Sequence, residues 1–181
     1  MEKKKYKQSW KIGETMITGV GQGFLTTTPM QLAVMIAMFA NNGKKIFPTI
    51  YKNIKGVNAN DNEVFTTQTL YQKKFFSLIK NGMFSVVNKP FGTAFGSRTS
   101  RPIFAGKTGT VQVRTISENE RELGIIPNKD LPFNQRDHAL FLGFAPYKNP
   151  KIAVSVVIEH GGSGSKIAAP IAKKIFKKAL L

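Results

Sequence analysis

The 181-residue sequence predicts an α+β fold, and three observations predict it. Apolar residues recur at helical spacing in the stretches 30–41, 67–83 and 167–181. Two short apolar runs, 139–145 and 152–158, flank the turn Pro146-Tyr147-Lys148-Asn149-Pro150, the pattern of an antiparallel pair. Helices come first, then strands and a terminal helix, without the strict alternation of a parallel α/β sheet. No internal repeat or linker divides the chain, and its length suits about one domain. A hydrophobic fraction of 41% without a Gly or Pro excess excludes a disordered or collagen-like chain.

Each element has a local reason. Residues 1–9 form a basic tail with Lys3-Lys4-Lys5, and residues 10–181 form the domain. The segment 16–24 is short, apolar and Gly-punctuated, and reads as a strand or extended turn. Thr26-Thr27-Thr28-Pro29 offers caps for a helix carrying Leu32, Met35, Ile36 and Phe39, and Asn41-Asn42-Gly43 supplies its stop. The polar stretch 52–62 is a loop or hairpin. Leu70, Phe75, Leu78, Ile79 and Met83 fit one or two amphipathic helices closing near Asn81-Gly82, and 86–94 leads on through Pro90 and Gly92. A strand over 103–114 is centred on Lys107-Thr108-Gly109-Thr110, and the charged stretch 118–135, with Pro127 and Pro132, is a long excursion. Beyond Gly161-Gly162-Ser163-Gly164-Ser165, the stripe Ile167, Ile171, Ile175, Phe176 and Leu180 marks a terminal amphipathic helix.

Lys+Arg 27 against Asp+Glu 10 gives a formal charge of +17, which attracts anionic surfaces such as nucleic acid, acidic lipid or cell-wall polymer. No RNA-recognition, zinc-finger or helix-turn-helix signature accompanies the charge, so specific nucleic-acid binding is not expected. The absence of Cys removes disulfides, thiolate metal sites and a Cys nucleophile. No run approaches the roughly 18 apolar residues of a membrane span, and the basic start lacks the apolar core of a signal peptide.

Several motifs carry possible chemistry. Lys107-Thr108-Gly109 places an ammonium and a hydroxyl beside a residue with no side chain, on a strand, where they can bind a carboxylate while a ligand backbone approaches closely. Ser77-Leu78-Ile79-Lys80 has the spacing by which a Lys amine takes a proton from a Ser nucleophile, but it lies in an apolar helical stripe and is read as a chance match. Gly19-x-Gly21 lacks the third Gly of a dinucleotide fingerprint, Phe24 standing in its place. Gly161 to Lys166 fails as a phosphate loop because Ile167 follows the Lys. His138 and His160 lack metal-ligand spacing, and no metal or cofactor is expected.

Taken in order, Gly13-Glu14-Thr15, Gly21-Gln22-Gly23-Phe24, Thr28-Pro29-Met30-Gln31-Leu32-Ala33, Asn41-Asn42-Gly43, Gly82-Met83, Val87-Asn88-Lys89-Pro90, Gly92-Thr93-Ala94, Gly106 to Val113, Asp137-His138-Ala139, Phe144-Ala145-Pro146 and Glu159-His160-Gly161-Gly162 resemble the transpeptidase domain of class B penicillin-binding proteins. The resemblance is closest to the elongation-type group, penicillin-binding protein 2. It implies peptidoglycan cross-linking, in which a Ser attacks a stem pentapeptide, and β-lactams acylate the same Ser. It makes Lys107, Thr108 and Gly109 the carboxylate-recognition strand and gives the Thr110 N–H to the oxyanion hole. In the family the Ser-x-x-Lys helix and the Ser-x-Asn loop precede Gly-Gln-Gly, so both are expected to be missing here. The chain is then a C-terminal fragment, inactive alone, with about three strands, an exposed sheet edge and an exposed apolar face. An alternative is half of a split transpeptidase complemented in trans by an N-terminal half; another is a basic, non-enzymatic module binding anionic polymer. The family works at the periplasmic side of the inner membrane, whereas this sequence shows no signal or anchor, leaving the cytoplasm as the default.

Overall fold

A computed structural model describes residues 9–44, 46–49 and 74–181 of the chain, and the backbone alone at 53–54, 57–58 and 70–73. In chain order the elements are α1 (Ile12–Gly19), α2 (Pro29–Ala40), the two-residue strands β1 (Asn53–Ile54) and β2 (Val57–Asn58), α3 (Leu70–Asn88), β3 (Ala105–Val111), α4 (Glu118–Leu123), β4 (His138–Ala145), β5 (Ile152–Ile158) and α5 (Ala169–Leu180). The expected α+β architecture and the 146–150 turn are both present: β3, β4 and β5 form an antiparallel sheet in that order. The basic tail falls almost wholly outside the described residues. The expected 52–62 hairpin is seen only as the β1–β2 pairing of Asn53 with Asn58 and Ile54 with Val57.

Register decides which side chains meet. Ala105 pairs with Phe144, Gly106 with Gly143 and Thr108 with Phe141, while Phe141 pairs with Val156 and Gly143 with Val154. Because strand side chains alternate, Phe141, Ala139, Val154 and Val156 share one face, and Ala105 and Phe144 share the other. The first face packs Val87, Phe104, Ala168, Ala169, Ala172 and Phe176 into one core; the second packs Ile36, Ala40 and Met83 against Ala105 and Phe144. Phe104, Phe141 and Phe176 are fully buried, with Phe104 lying 5.1 Å from Phe176 and edge-on to Phe141 at 6.1 Å. Each such ring removed from water contributes about 1.5–3 kcal/mol.

Two glycines make room for this core. A Cβ at Gly106 would fall 2.2 Å from Phe141 Cζ, and one at Gly143 would fall 2.7 Å from Phe141 Cε1, so the ring lies across their pair. The α5 side is equally close. Gly164, in the π-type turn Gly164–Ala168 before α5, sits so near the sheet that a Cβ would meet Gly109 O at 2.3 Å and Leu140 O at 2.5 Å.

Helix α2 begins and ends where its residue types direct. Thr28 Oγ1 accepts from Gln31 N at 3.2 Å and Thr28 N donates to Gln31 Oε1 at 2.8 Å, a reciprocal cap reinforced by Pro29. At its end Asn42 has φ 54° and Gly43 has φ 90°. Gly43 N reaches Met38 O at 2.8 Å and Asn42 N reaches Phe39 O at 3.2 Å, which satisfies the last carbonyls.

Three expectations need correction. The segment 16–24 is not a strand: α1 covers Ile12–Gly19, with Lys11 N donating to the Glu14 carboxylate at its start. Helix α3 does not close at Asn81-Gly82 but runs to Asn88, because Gly82 faces open space while Met83 and Val87 bury the next turns. In α5 the buried residues are Ala169, Ala172 and Phe176, while Ile167 and Ile175 are each 40% exposed. A helix seated this close to a sheet meets it through small side chains.

The expected exposed surfaces are present. Among the described residues β3 and β5 each have one edge without a strand partner. Helix α1 buries no residue, with Ile12 84% and Met16 71% exposed.

Candidate functional site

The Lys107-Thr108-Gly109-Thr110 run lies on β3, whose outer edge has no strand partner among the described residues. Lys107 pairs with Leu142 and Gly109 with Leu140, so these two share the α2–α3 face, while Thr108 and Thr110 point to the other. Lys107 and Thr110 are exposed; Thr108 and Gly109 are half-buried. The Lys107 ammonium donates to Thr108 O at 2.7 Å, which holds the charge beside the strand backbone. A Cβ at Gly109 would come within 3.2 Å of Leu140 Cβ, so bareness there serves the sheet as well as any ligand.

A residue that motif reasoning passed over joins this strand. Thr93 Oγ1 lies 2.9 Å from Thr108 Oγ1. Thr93 is delivered by a tight turn after α3: Gly92 N donates to Lys89 O, Ala94 N donates to Val86 O, and a Cβ at Gly92 would strike Val86 O at 2.2 Å. The only sequence signal was its place in Gly92-Thr93-Ala94, one motif of the ordered series.

The excursion after β3 is built on two carboxylates. Arg114 holds Glu120 through two bonds, at 2.6 and 2.5 Å, and Ile126 N also donates to Glu120 at 3.3 Å. The hydrogen bond from Arg114 is the main reason that the Glu120 carboxyl is depressed to about 2. Asp137 accepts from Asn128 Nδ2 at 2.8 Å and from Val113 N at 3.4 Å, while its own N–H donates to Asn128 Oδ1 at 2.8 Å. What reads as a loop thus contains α4 and two 3₁₀ turns.

Ser77 is exposed, and Lys80 Nζ donates to Ala40 O and Asn42 Oδ1, each at 3.1 Å, placing its charge on the C-terminus of α2. Burial lowers the pKa of that amine. Both residues line a polar surface cavity of about 200 Å³ with Asn42, Asn81, Tyr147 and Lys148.

Two further segments match the spacing of the serine motifs. Ser117-Glu118-Asn119 has the Ser-x-Asn spacing, but it follows the Lys-Thr-Gly strand, and Ser117 Oγ caps α4 by accepting from Glu120 N at 3.3 Å. Ser163 and Lys166 repeat the Ser-x-x-Lys spacing, yet Ser163 Oγ accepts from Lys166 N at 3.3 Å as a cap. Among the described residues no group of three His, Cys, Asp or Glu could hold a metal ion, and no helix is long and apolar enough to cross a membrane.

Comparison with known proteins bears on this arrangement directly. The family model "Penicillin binding protein transpeptidase domain" matches residues 2–177. Peptidoglycan D,D-transpeptidase MrdA of Haemophilus influenzae is 38% identical over 183 residues, covering 96% of this chain and 27% of the relative. Pseudomonas aeruginosa PBP2 superposes with a TM-score of 0.78 at 38% identity, over 99% of this chain and 35% of that one. Penicillin-binding protein A from Mycobacterium tuberculosis, a penicillin G acyl-enzyme complex, gives a TM-score of 0.63 at 26% identity, over 91% and 34%. The chain thus spans about a quarter of the length of the MrdA relative it matches.

Proposed function

Because this chain belongs to the penicillin-binding protein transpeptidase family, we propose that it supplies the substrate-recognition wall of a peptidoglycan D,D-transpeptidase of the elongation type. The observation that carries this reading is the β3 edge: a cation, a hydroxyl and a residue without a side chain stand in sequence on a strand whose outer edge has no strand partner among the described residues. The Lys107 ammonium and the Thr108 hydroxyl bind the terminal carboxylate of a stem peptide or the carboxylate of a β-lactam. The peptide lies along β3 as an added strand, and Gly109 lets its backbone approach. The Thr110 N–H faces the oxygen on which negative charge develops.

The nucleophile in this reading is a Ser outside the 181 residues. Its Oγ bonds to the penultimate D-Ala carbonyl carbon, the peptide C–N bond breaks, and terminal D-Ala leaves with the proton. Ser117 Oγ and Ser163 Oγ each accept a helix-capping bond, and Lys80 Nζ donates to the end of α2, which supports a nucleophile elsewhere. We place the assembled domain on the periplasmic side of the inner membrane, where its substrate lies. The exposed α1 supports a second reading, in which a separate N-terminal half completes the domain in trans.

The test combines a fluorescent penicillin with N-acetyl-D-Ala-D-Ala. The chain alone forms no covalent adduct by intact mass, yet the dipeptide shifts the resonances of residues 107–110, and Lys107→Met abolishes those shifts. An adduct on Ser77 or Ser163 overturns the assignment of the nucleophile, and silent 107–110 resonances overturn the recognition strand. A covalent adduct restored by co-expression with the N-terminal half of a relative supports the second reading.

A further inference from the structure

The two histidines of the chain lie far apart in sequence, His138 opening β4 and His160 two residues past β5. The fold places their rings 4.8 Å apart, edge to face. Three bonds tie the segment before β4 to the turn after β5. His160 N donates to His138 Nδ1 at 2.9 Å, Gly162 N donates to Asp137 O at 2.8 Å, and His160 Nδ1 lies 3.0 Å from Arg136 O. An imidazole nitrogen that accepts from an amide carries no proton, so His138 is neutral with its proton on Nε2. A carbonyl only accepts, so His160 carries its proton on Nδ1.

The turn held in this way is not one that holds itself. His160 has φ 55° and Gly162 has φ 77°, the left-handed region that side chains rarely adopt. The turn leads straight to Gly164, which lies against Gly109 O and Leu140 O with no space to spare. Movement of the turn therefore reaches the backbone of Gly109.

We propose that His138 is a positioning residue for the β3 recognition strand: its neutral ring fixes the 160–164 turn that seats Gly164 beneath Gly109, and taking a proton at Nδ1 releases that seat. This rests on the reading of residues 107–110 given above. Protonation would set two N–H groups against each other, so the clamp is closed while the His138 ring is neutral and opens when Nδ1 takes a proton. The charged side chains next to the two histidines in sequence are bonded elsewhere or exposed. The Asp137 carboxylate is bonded to Asn128 and Val113 N, and the Arg136 guanidinium donates to Leu131 O and Lys129 O. Glu159 is exposed, Phe133 covers the His160 ring at 5.1 Å, and β3 presents uncharged Val111 opposite His138.

The experiment is a pH titration of the whole 181-residue chain followed by NMR. Histidine ring spectra at neutral pH should show the Nε2–H form at His138 and the Nδ1–H form at His160. From pH 8 to 5 the amides of His160, Gly162, Gly164 and Gly109 should shift together with the His138 ring resonances, and the protection of the His160 amide relative to intrinsic exchange at each pH should fall at least about tenfold. His138→Asn keeps an acceptor at the δ position and should hold the high-pH shifts throughout, whereas His138→Gln has none there and should show the low-pH shifts throughout. Affinity for N-acetyl-D-Ala-D-Ala should fall several-fold over the same pH range in the natural chain and stay level in His138→Asn.

A protonated Nδ1 on His138 at neutral pH, a Gly109 amide that stays still while His138 titrates, or a midpoint that survives His138→Asn each overturns the proposal. Should His138→Gln fail to fold, the natural chain and His138→Asn still decide. Dipeptide shifts at 107–110 without any pH coupling overturn the clamp and leave recognition standing. Coupling without dipeptide shifts supports the clamp and overturns the ligand assignment alone.

Discussion

Helices α1 and α5 are both short and amphipathic, and they differ in what they touch. Helix α5 presses Ala169, Ala172 and Phe176 into the sheet, each fully buried. Helix α1 buries nothing and is shaped by local bonds: Glu14 on Lys11 N at its first turn and Trp10 Nε1 on Thr15 Oγ1 at 2.7 Å. The difference separates forming a helix from placing one. Eight residues in water form only a marginal helix, and α1 buries no residue among those described, whereas α5 is bound into a completed core.

The sharpest way to break this contrast is Phe176→Ala. Removing a fully buried ring that touches Phe104 should cost about 3–5 kcal/mol in denaturant unfolding; a loss under about 1 kcal/mol would mean that α5 is no better seated than α1. Acid tests the intermediate case, the excursion tied by Arg114 and Glu120. The Glu120 carboxyl lies at about 2, below its ordinary 4.5. A depressed folded value contributes stability above the unfolded value, and that contribution is lost as pH falls from about 4.5 through about 2. Protection of the Ile126 amide relative to intrinsic exchange should fall over that interval in the natural chain and stay level in Glu120→Gln.

On β5, Ser155 Oγ is buried without a hydrogen-bond partner among the described residues. Ser155→Ala should therefore raise stability by about 1 kcal/mol; a loss of that size would reveal a bond that the hydroxyl makes. Least of all should matter Ile12→Ser, expected to change stability by less than about 0.5 kcal/mol because Ile12 is 84% exposed. A cost above about 1 kcal/mol would place α1 against something.

The same contrast explains what the sequence could and could not reveal. Helix α2 was legible because its instructions are local: Thr28, Pro29 and Gln31 at one end and Asn41, Asn42 and Gly43 at the other. The β4–β5 pair was legible from two apolar runs around a Pro-rich turn. Helix α1 was not, since its apolar residues join neither core among the described residues and its Gly13 and Gly19 imitate a turn. Gly82 misled in the opposite way, because burial of Met83 and Val87 outweighs the roughly 1 kcal/mol that a mid-helix Gly costs. Lys107 to Thr110 could be singled out by residue type, while Thr93 could not, since its meeting with Thr108 depends on how Gly92 folds back on α3.

The left-handed backbone at His160 has a consequence for how this turn can vary among descendants. Of the side chains that tolerate that conformation, Asn does so readily, and its amide can donate to Arg136 O as the His160 ring does. One base change converts a His codon to an Asn codon, whereas Gly requires two and leaves Arg136 O without its donor. Substitution at position 160 is therefore channelled toward Asn, and His138, whose partner is the position-160 backbone N–H, is untouched by that drift.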